Sequence, residues 1–471
     1  MKKDNMNSKR INIIIIFAFS LFYVLYCNYR MIELPHLTWF DQIPLADKYY
    51  SGTLTWNDIF SKYGEHGLLA NNLLYLLNVI LFHGTTLFDV AINDINVIVC
   101  GVLFINLTIK TVNSEKIAYL CIFGESIYMF GTMQSSSGAM ETQVRLGIMF
   151  FLIAMYVVDK ELRETTSDIS HLILTIFVIF ISINVFGTLY SFAGVPLIWL
   201  IVILKYLKSQ KINMRDIIIS CTYAITIPFY IVEYHLFSGK GLSGLNGFNI
   251  SMLNPYNFIK CLSAWCANGA LGWAYHESAA YNSTTYLTIG FLILVIIVVG
   301  VVLYCKFKLY TKTLIPVMGI VYGFGVYVMV YLGRSSAYDW FANEWYNVHI
   351  KMMLASTIWI YGLILSIQHQ HKISCIITCC ICVCALLGTE GNICELKRVP
   401  YVRDYYSDKQ KYLFITNPED MPVDENGQTP LLHSLNVTMN SIEILRKYNL
   451  SVYQYWTAFE ESSTFKATTD L

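Results

Sequence analysis

The sequence predicts an all-α polytopic membrane protein with about eleven spanning helices. Three observations predict this class. Hydrophobic residues make up 55% of the 471 residues and charged residues only 14%, whereas a soluble domain carries about 25% charged residues. The mean hydropathy of the chain is +0.50. Apolar runs long enough to cross a bilayer recur along the chain, and short basic clusters separate them.

The first apolar run follows a basic amino-terminal segment and extends from Ile11 to Tyr29. A spanning helix needs about 20 apolar residues, and no small-residue cleavage site follows this run. Residues 1–29 are therefore predicted to be a cytoplasmic amino terminus and an uncleaved first span. The basic side chains that hold this terminus inside are Lys2, Lys3, Lys9 and Arg10.

Ten further apolar runs predict a multi-span domain within residues 88–387. They are Phe88–Ile109, Ile117–Met133, Gly138–Val158, Ile169–Phe186, Leu189–Leu204, Ile217–Phe237, Tyr286–Cys305, Leu314–Leu332, Val348–Ile367 and Ile373–Leu387. The run Leu68–Phe82 is shorter and polar in places. If it crossed the membrane, the basic loops Lys110–Lys116 and Asp159–Arg163 would fall outside, against the positive-inside rule. We therefore predict an interfacial amphipathic helix there.

This topology places four segments outside the membrane. They are residues 30–87, Ser238–Thr285, Gly333–Asn347 and the tail formed by residues 388–471. The first is predicted to be an external loop with interfacial helices. The tail is predicted to be a small α/β cap, with a short strand at Tyr412–Ile415 and a helix over Leu431–Tyr448.

Composition and motifs exclude several classes of function. The formal net charge is zero, which argues against a nucleic-acid partner. The sequence has no phosphate-binding glycine loop, no G-x-S-x-G elbow and no H-E-x-x-H motif. The cysteines of the last apolar run are predicted to act as small hydrophobes. Cys261, Cys266 and Cys394 fall in segments predicted to be external, which leaves one structural disulfide open.

The first external loop carries the acidic candidates for chemistry. Asp41 follows Trp39 and Phe40, where an aromatic belt would set it at the level of the lipid headgroups. A positioned carboxylate there could serve as a general base or could bind a divalent cation. Glu65 is the second catalytic candidate, although a carboxylate at a helix amino terminus also complements the helix dipole. The substrate-binding candidates in this loop are Asp47, Lys62 and His66.

A second group of candidates surrounds the predicted external segment before the tenth span. Arg334 stands at the outer end of an apolar helix, where snorkelling and phosphate binding are both open interpretations. Tyr346 and His349 lie at the entrance to the next span and could line the same cavity. Arg145 lies inside a predicted span four residues after Glu141, and an intrahelical ion pair would explain both charges.

The layout resembles the GT-C superfamily of membrane glycosyltransferases, which use polyprenyl-phosphate-linked sugars. The resemblance rests on the inward first helix, the long acidic first loop, and the stretch from Ser51 through Gly64-Glu65-His66-Gly67. This stretch is similar to the corresponding stretch of a bacterial subset of the superfamily, in which an acidic-His-Arg tripeptide opens the interfacial helix. Gly67 stands where that arginine would be, so Lys62 or Arg334 would have to replace it. The resemblance implies Asp41 as the catalytic acid or base.

The predicted function is transfer of a sugar from a polyprenyl-phosphate carrier to a cell-envelope polysaccharide or a similar acceptor. The predicted place is the outer face of the cell membrane, the cytoplasmic membrane if the source is bacterial. The partners are the lipid-linked donor, the envelope glycan and the bilayer. No cofactor is predicted with certainty, and a divalent cation stays open. The alternatives are a polysaccharide polymerase or ligase, and a flippase or transporter of lipid-linked glycans.

Overall fold

The computed structural model is dominated by long helices. It describes residues 2–33, 42–63, 66–67, 69–131, 139–163, 168–187, 189–209, 212–238, 254–277, 283–333, 341, 346–368, 370–431, 434–451 and 453. The α-helices are α1 Lys2–Glu33, α2 Ile43–Tyr50, α3 Trp56–Ile59, α4 Leu69–Phe82, α5 Thr86–Thr111, α6 Glu115–Met129, α7 Ala139–Arg163, α8 Ile169–Asn184, α9 Gly194–Ser209, α10 Met214–Ser238, α11 Pro255–Glu277, α12 Ser283–Lys306, α13 Ile315–Gly333, α14 Asn347–Leu365, α15 His371–Gln410 and α16 Leu435–Lys447. Two short strands, β1 Lys62–Tyr63 and β2 His66–Gly67, pair antiparallel.

The predicted class of all-α polytopic membrane protein is confirmed. Within the described residues, 8 helices are long and apolar enough to cross a membrane, and Ile11–Tyr26, Leu69–Phe82 and Ile169–Asn184 are shorter apolar helices. Each predicted apolar run corresponds to a helix, and the bounds shift by at most five residues except at the start of α1 and at the end of α15. The run from Leu189 differs most at its start, because a 3-10 turn over Leu189–Ala193 precedes α9.

The loops that were predicted to be cytoplasmic meet at one end of the bundle. Asp159 accepts hydrogen bonds from Arg163 at 2.8 Å and from the backbone N–H of Leu314 at 2.7 Å. Glu161 accepts from Arg215 at 2.7 Å and also pairs with His171. Since these contacts join α7, α8, α10 and the start of α13, the helices alternate in direction as the topology predicts. We call this the basic-loop end.

The helix α14 lies at the centre of the bundle, and 94% of its apolar stretch is buried inside the protein. Its Trp359 is fully buried and packs edge-on against Phe104 of α5, with ring centroids 5.1 Å apart. Trp359 also donates from its indole N–H to Thr111 Oγ1 at 2.7 Å. A helix that is apolar all round is expected to lie inside a bundle rather than at its lipid surface.

The segment Ser238–Thr285 was predicted to be external, yet its described part contains α11, which packs between α12, α14 and α15. Trp265, Cys261 and Cys266 on this helix are completely buried. Its backbone approaches α12 so closely that a Cβ on Gly290 would lie 1.8 Å from the Ser263 carbonyl oxygen. Small and polar residues lower the hydropathy of α11, which hid it from a search for apolar runs.

The segment predicted to be the first external loop folds against the helix bundle, where α4 contacts α5 and α7. In α4, one face is buried while the opposite face exposes Leu73, Leu77, Ile80 and Leu81. The exposed apolar face suits contact with the acyl-chain boundary of a membrane surface. The helix predicted over Leu68–Phe82 is therefore confirmed as an element, and its position at the membrane surface stays a prediction.

The tail differs from its prediction in two respects. α15 does not end near residue 387 but continues as one helix through Gln410. The strand predicted at Tyr412–Ile415 is wrong, because Lys411–Phe414 is a 3-10 helix that prolongs α15. The helix predicted over Leu431–Tyr448 is confirmed as α16, which begins after Ser434. We call residues 411–453 the carboxy-terminal cap.

Candidate functional site

A largely apolar cavity of about 30 Å³, with a few polar groups in its wall, opens between α5, α6, α7 and α14. Its polar lining consists of Asn96, Tyr128, Arg145 and Lys351. The apolar lining residues are Val97, Cys100, Met129, Ile148, Val348 and Met352. A space of this volume holds roughly two water molecules or a small polar group. We call it the cation cavity, because it brings two basic side chains from different helices together.

The helices place these groups near the end of the bundle opposite the basic loops. Arg145 lies about two turns after the start of α7, and Lys351 lies about one turn after the start of α14. Tyr128 stands at the last turn of α6, where its hydroxyl donates to the Cys384 carbonyl oxygen at 2.5 Å. The cation cavity therefore lies near the end of the bundle at which α5, α7 and α14 begin. The first external loop leads into α5 at this end.

The polar groups of the cation cavity are almost completely shielded from solvent. Arg145 is 5% exposed and Lys351 is 7% exposed. Arg145 donates to the Tyr23 hydroxyl at 3.3 Å, which ties the cavity to α1. Among the described residues, the Asn96 side-chain nitrogen is buried without a hydrogen-bond partner. A buried N–H group of this kind favours a ligand or a water in the adjoining space.

A second cavity of about 10 Å³ lies on the other side of Lys351 and Tyr128. Its lining is glycine-rich and polar, with Gly272, Asn347, Gly388, Gly391, Asn392 and Glu395. Gly272 interrupts α11 with φ 74° and ψ 175°, a conformation that is essentially restricted to glycine. A Cβ at this position would lie 3.4 Å from Glu395 Oε1, so the carboxylate approaches the backbone closely.

Lys351 joins the two cavities and interacts with charges of both signs. Glu395 attracts its ammonium group, and Arg145 repels it. Two cations and one carboxylate thus meet beside an enclosed space. Because the guanidinium fork and the ammonium group both suit phosphate oxygens, the arrangement can bind a phosphate or another compact anion.

Three predicted site residues, Asp41, Glu65 and Arg334, lie outside the residues that the structure describes. Lys62 and His66 are described only in their backbones, which pair in the β1–β2 hairpin. Gln42, the residue after Asp41, is buried, and its side-chain amide lies 3.5 Å from Asn72 Oδ1. The described part of the loop thus begins next to Asp41 and is anchored there.

Asp47 contacts the carboxy-terminal cap. Its Oδ1 accepts a hydrogen bond from the Tyr448 hydroxyl at 2.8 Å and from Lys447 Nζ at 3.2 Å. The Tyr448 hydrogen bond is the main reason why the pKa of Asp47 lies below its usual value, with partial burial opposing it and Lys447 assisting. The structure does not bring Asp47 to either cavity.

Tyr346 and His349 face an aromatic cluster rather than the cation cavity. His349 is 1% exposed, and its Nδ1 lies 2.9 Å from the Tyr322 hydroxyl. The Tyr190 ring meets His349 edge-on at 4.9 Å and meets Tyr346 edge-on at 6.4 Å. Neither residue lines the cavities, whereas Lys351, two positions after His349, lines both.

Sequence reasoning missed Lys351, Glu395 and Asn96, and it explained Arg145 by a local pair. A usable signal for Lys351 was present, because an ionisable residue inside a predicted span indicates function by default. Glu395 was assigned to the tail, since α15 was expected to end earlier. Within the described residues, no group of three or more His, Cys, Asp or Glu side chains could hold a metal ion, and Cys261, Cys266 and Cys394 are free thiols.

The fold and the cavities define a polytopic membrane protein with a buried, cation-lined site at one end of its helix bundle. No protein-family model matches the chain, and no curated protein matches it. Among solved structures it is similar to ArnT from Cupriavidus metallidurans bound to undecaprenyl phosphate. That similarity has a TM-score of 0.43 and 11% sequence identity, over 95% of this chain and 91% of the other. At this level it does not establish a shared activity, so the function below rests on this chain's own residues.

Proposed function

We propose that this protein is a membrane glycosyltransferase that moves a sugar from a polyprenyl-phosphate carrier to a cell-envelope glycan. The observation that carries the proposal is the cation cavity, where Arg145 and Lys351 meet beside the first external loop. Two nearly buried cations lining one space favour an anion of matching size. A lipid-linked phosphate supplies such an anion at the depth where a membrane cavity can receive it.

The cations would act on the phosphate in both the donor and the leaving group. Hydrogen bonds from Arg145 and Lys351 would hold the phosphate oxygens and stabilise the negative charge that grows as the bond to the sugar breaks. The Asn96 amide could donate a further hydrogen bond. A preorganised donor of this kind typically contributes about 10²–10³-fold to the rate.

Asp41 remains the proposed catalytic base. In this scheme, its carboxylate takes the proton of an acceptor hydroxyl, and the hydroxyl oxygen forms a bond to the anomeric carbon of the sugar. The bond between that carbon and the phosphate oxygen breaks, and polyprenyl phosphate leaves with the electron pair. Such a single displacement inverts the anomeric centre. Glu65, His66 and Lys62 would contact the sugar or the acceptor from the same loop, and Arg334 would assist the leaving phosphate.

Binding of undecaprenyl phosphate to the purified protein tests the cation cavity directly. We expect wild-type protein to bind this lipid at least about tenfold more tightly than uncharged undecaprenol, because hydrogen bonds to charged groups contribute about 1.5–3 kcal/mol each. Arg145→Gln and Lys351→Gln should remove the difference. Lys116→Gln is the matched control, since Lys116 is exposed at the basic-loop end. Equal affinity of the wild type for both lipids would contradict a phosphate site.

Envelope glycan analysis tests the reaction. Cells that lack this protein should lose one sugar from an envelope polysaccharide and keep the backbone. Wild-type protein should restore that sugar, whereas Asp41→Asn should reach the membrane normally and fail to restore it. Shortened chains in place of a missing sugar would indicate a polymerase. An unchanged glycan would overturn the proposed function.

The outward orientation of the site is tested by protease access. We expect the carboxy-terminal cap to be cleaved in right-side-out membrane vesicles and to be protected in inverted ones. The loop around Lys308, at the basic-loop end, should show the opposite pattern. Cleavage of the cap only in inverted vesicles would place the site on the cytoplasmic side and reverse the proposed topology.

A further inference from the structure

The carboxy-terminal cap shares its hydrophobic core with the first external loop. Leu413, Ile442, Leu445 and Leu450 of the cap lie in one buried cluster with residues of α2 and α4. The members contributed by the loop are Ile43, Leu45, Ala46, Tyr75, Leu76 and Val79. Ile43 and Ala46 are completely buried in this cluster. The cap and α2 therefore fix each other's position.

Polar contacts also join the carboxy-terminal cap to α2 and to the end of α4. One oxygen of the Asp47 carboxylate, Oδ1, accepts hydrogen bonds from the Tyr448 hydroxyl and from Lys447 Nζ. The ring of Tyr448 stacks on Tyr50 with centroids 4.5 Å apart and an interplanar angle of 18°. The Ser451 N–H donates to the His83 carbonyl oxygen at 2.8 Å, just beyond the end of α4. We call Asp47, Lys447 and Tyr448 the latch.

The cap is connected to both halves of the candidate site. α2 begins at Ile43, two residues after Asp41. On the other side, α15 runs without interruption from Glu395, in the wall of the second cavity, to Gln410, where the cap begins. This stretch spans about 22 Å as a helix. The cap and α15 thus connect the wall of the second cavity to α2.

We propose that the latch positions the Asp41 segment relative to the cation cavity, and that Asp47 is a positioning residue. The inference rests on the proposed glycosyltransferase function and assigns the cap a part in it. Asp47 is a substrate-binding candidate in the sequence, but its Oδ1 is already engaged by Tyr448 and Lys447. The latch holds α2, whose first residue follows Asp41 by two positions, and small displacements of a reacting group lower rates steeply.

Hydrogen exchange of the full-length protein tests the latch without any substrate. Asp47→Asn and Tyr448→Phe should each increase amide exchange in residues 42–50 and 411–451. A charge exchange, Asp47→Lys with Lys447→Asp, should return the exchange toward the wild-type level. Glu425→Gln is the control, since Glu425 is exposed on the cap away from α2. Unchanged exchange in both latch variants would overturn the proposal, whatever the enzyme's activity.

Kinetics separate a positioning role from substrate binding. We expect Asp47→Asn and Tyr448→Phe to lower kcat for sugar transfer about tenfold with donor and acceptor KM within about twofold, because geometry rather than affinity is lost. The charge exchange should recover most of kcat. A raised KM with unchanged hydrogen exchange would make Asp47 a substrate ligand instead. A wild-type protein without transfer activity would refute the proposed function, while hydrogen exchange would still decide the latch.

Discussion

The two ends of the helix bundle treat buried charge differently. At the basic-loop end, Asp159, Glu161 and Asp216 each receive a basic partner at 2.7–2.8 Å. Asp159 additionally accepts a hydrogen bond from the backbone N–H of Leu314, the residue before α13. At the opposite end, Arg145 and Lys351 line a cavity in addition to their interactions with Tyr23 and with Glu395. There the described helices leave space beside two buried cations.

We interpret the charges at the basic-loop end as structural and those at the cavity end as part of the proposed anion site. A carboxylate that receives two or more directed hydrogen bonds joins helices and leaves little capacity for a ligand. A cation that lines a cavity can direct donors at an incoming group. Both ends contain ionisable residues within or beside spans, and such residues are functional candidates by default. Because the carboxylates of the basic-loop end join helices, we keep this functional interpretation for the end with the cavities.

Asp159→Ala should have the largest effect on stability. The substitution removes the acceptor shared by Arg163 and the buried Leu314 N–H, and leaving a buried donor without its acceptor costs about 1–3 kcal/mol. We expect a lower thermal unfolding temperature and a smaller folded fraction of the detergent-solubilised protein. Lys116→Gln, at the same end but exposed, should leave both unchanged. Wild-type stability of Asp159→Ala would show that the ion pairs at this end are not structural.

The fold could be predicted from the sequence where hydropathy alone decides. The spans from α5 to α14 were located because apolar runs of bilayer length have few alternatives. α11 was missed, because its Asn257, Ser263, Asn268 and glycines lower its hydropathy, although neighbouring helices bury most of them. The end of α15 was placed too early, since a helix that leaves the membrane and continues through polar residues has no apolar signal.

Lys351→Gln combined with Glu395→Gln should affect function more than stability. The double variant removes Lys351 and its nearby carboxylate together, so neither member of this pair is left as an uncompensated buried charge. We expect the unfolding temperature to change little, while undecaprenyl phosphate binding falls about tenfold or more. The same binding assay and thermal unfolding measure the two effects. A large loss of stability with normal binding would place these residues with the structural charges of the other end.

The candidate site was less predictable than the fold, for a physical reason. Sequence patterns locate residues along one helix, whereas the cation cavity is built from α5, α6, α7 and α14. Arg145 had a sufficient local explanation in Glu141, and only the approach of Lys351 from another helix changes its meaning. The loop acids are close to each other along the chain, which is why the sequence groups them around Asp41, and that grouping stays a prediction.

Gly272→Ala should have an intermediate effect at the cavity end. The backbone conformation of Gly272 costs about 1–3 kcal/mol for other residues, and the new Cβ would lie 3.4 Å from Glu395 Oε1 and 3.5 Å from Asn347 Nδ2. We expect a modest loss of stability together with weaker undecaprenyl phosphate binding. Gly427→Ala is the control, because Gly427 has φ +75° and a Cβ there would have no neighbour within 4 Å. Its substitution should cost stability alone, and equal binding losses in both variants would exclude a local effect at the cavity.

The smallest expected effect is a pH dependence of the latch. The Tyr448 hydrogen bond lowers the pKa of Asp47 below its ordinary value of 3.8. A carboxyl whose pKa is lower in the folded than in the unfolded state contributes its full stabilisation above the unfolded pKa and loses it as the pH falls through the folded one. We therefore expect cap docking to weaken below about pH 4. Thermal unfolding of the wild type and of Asp47→Asn should differ at neutral pH and converge in acid, because protonation makes the two side chains alike in charge. A difference that persists unchanged down to about pH 2 would mean that Asp47 stabilises the cap by packing rather than by its charge.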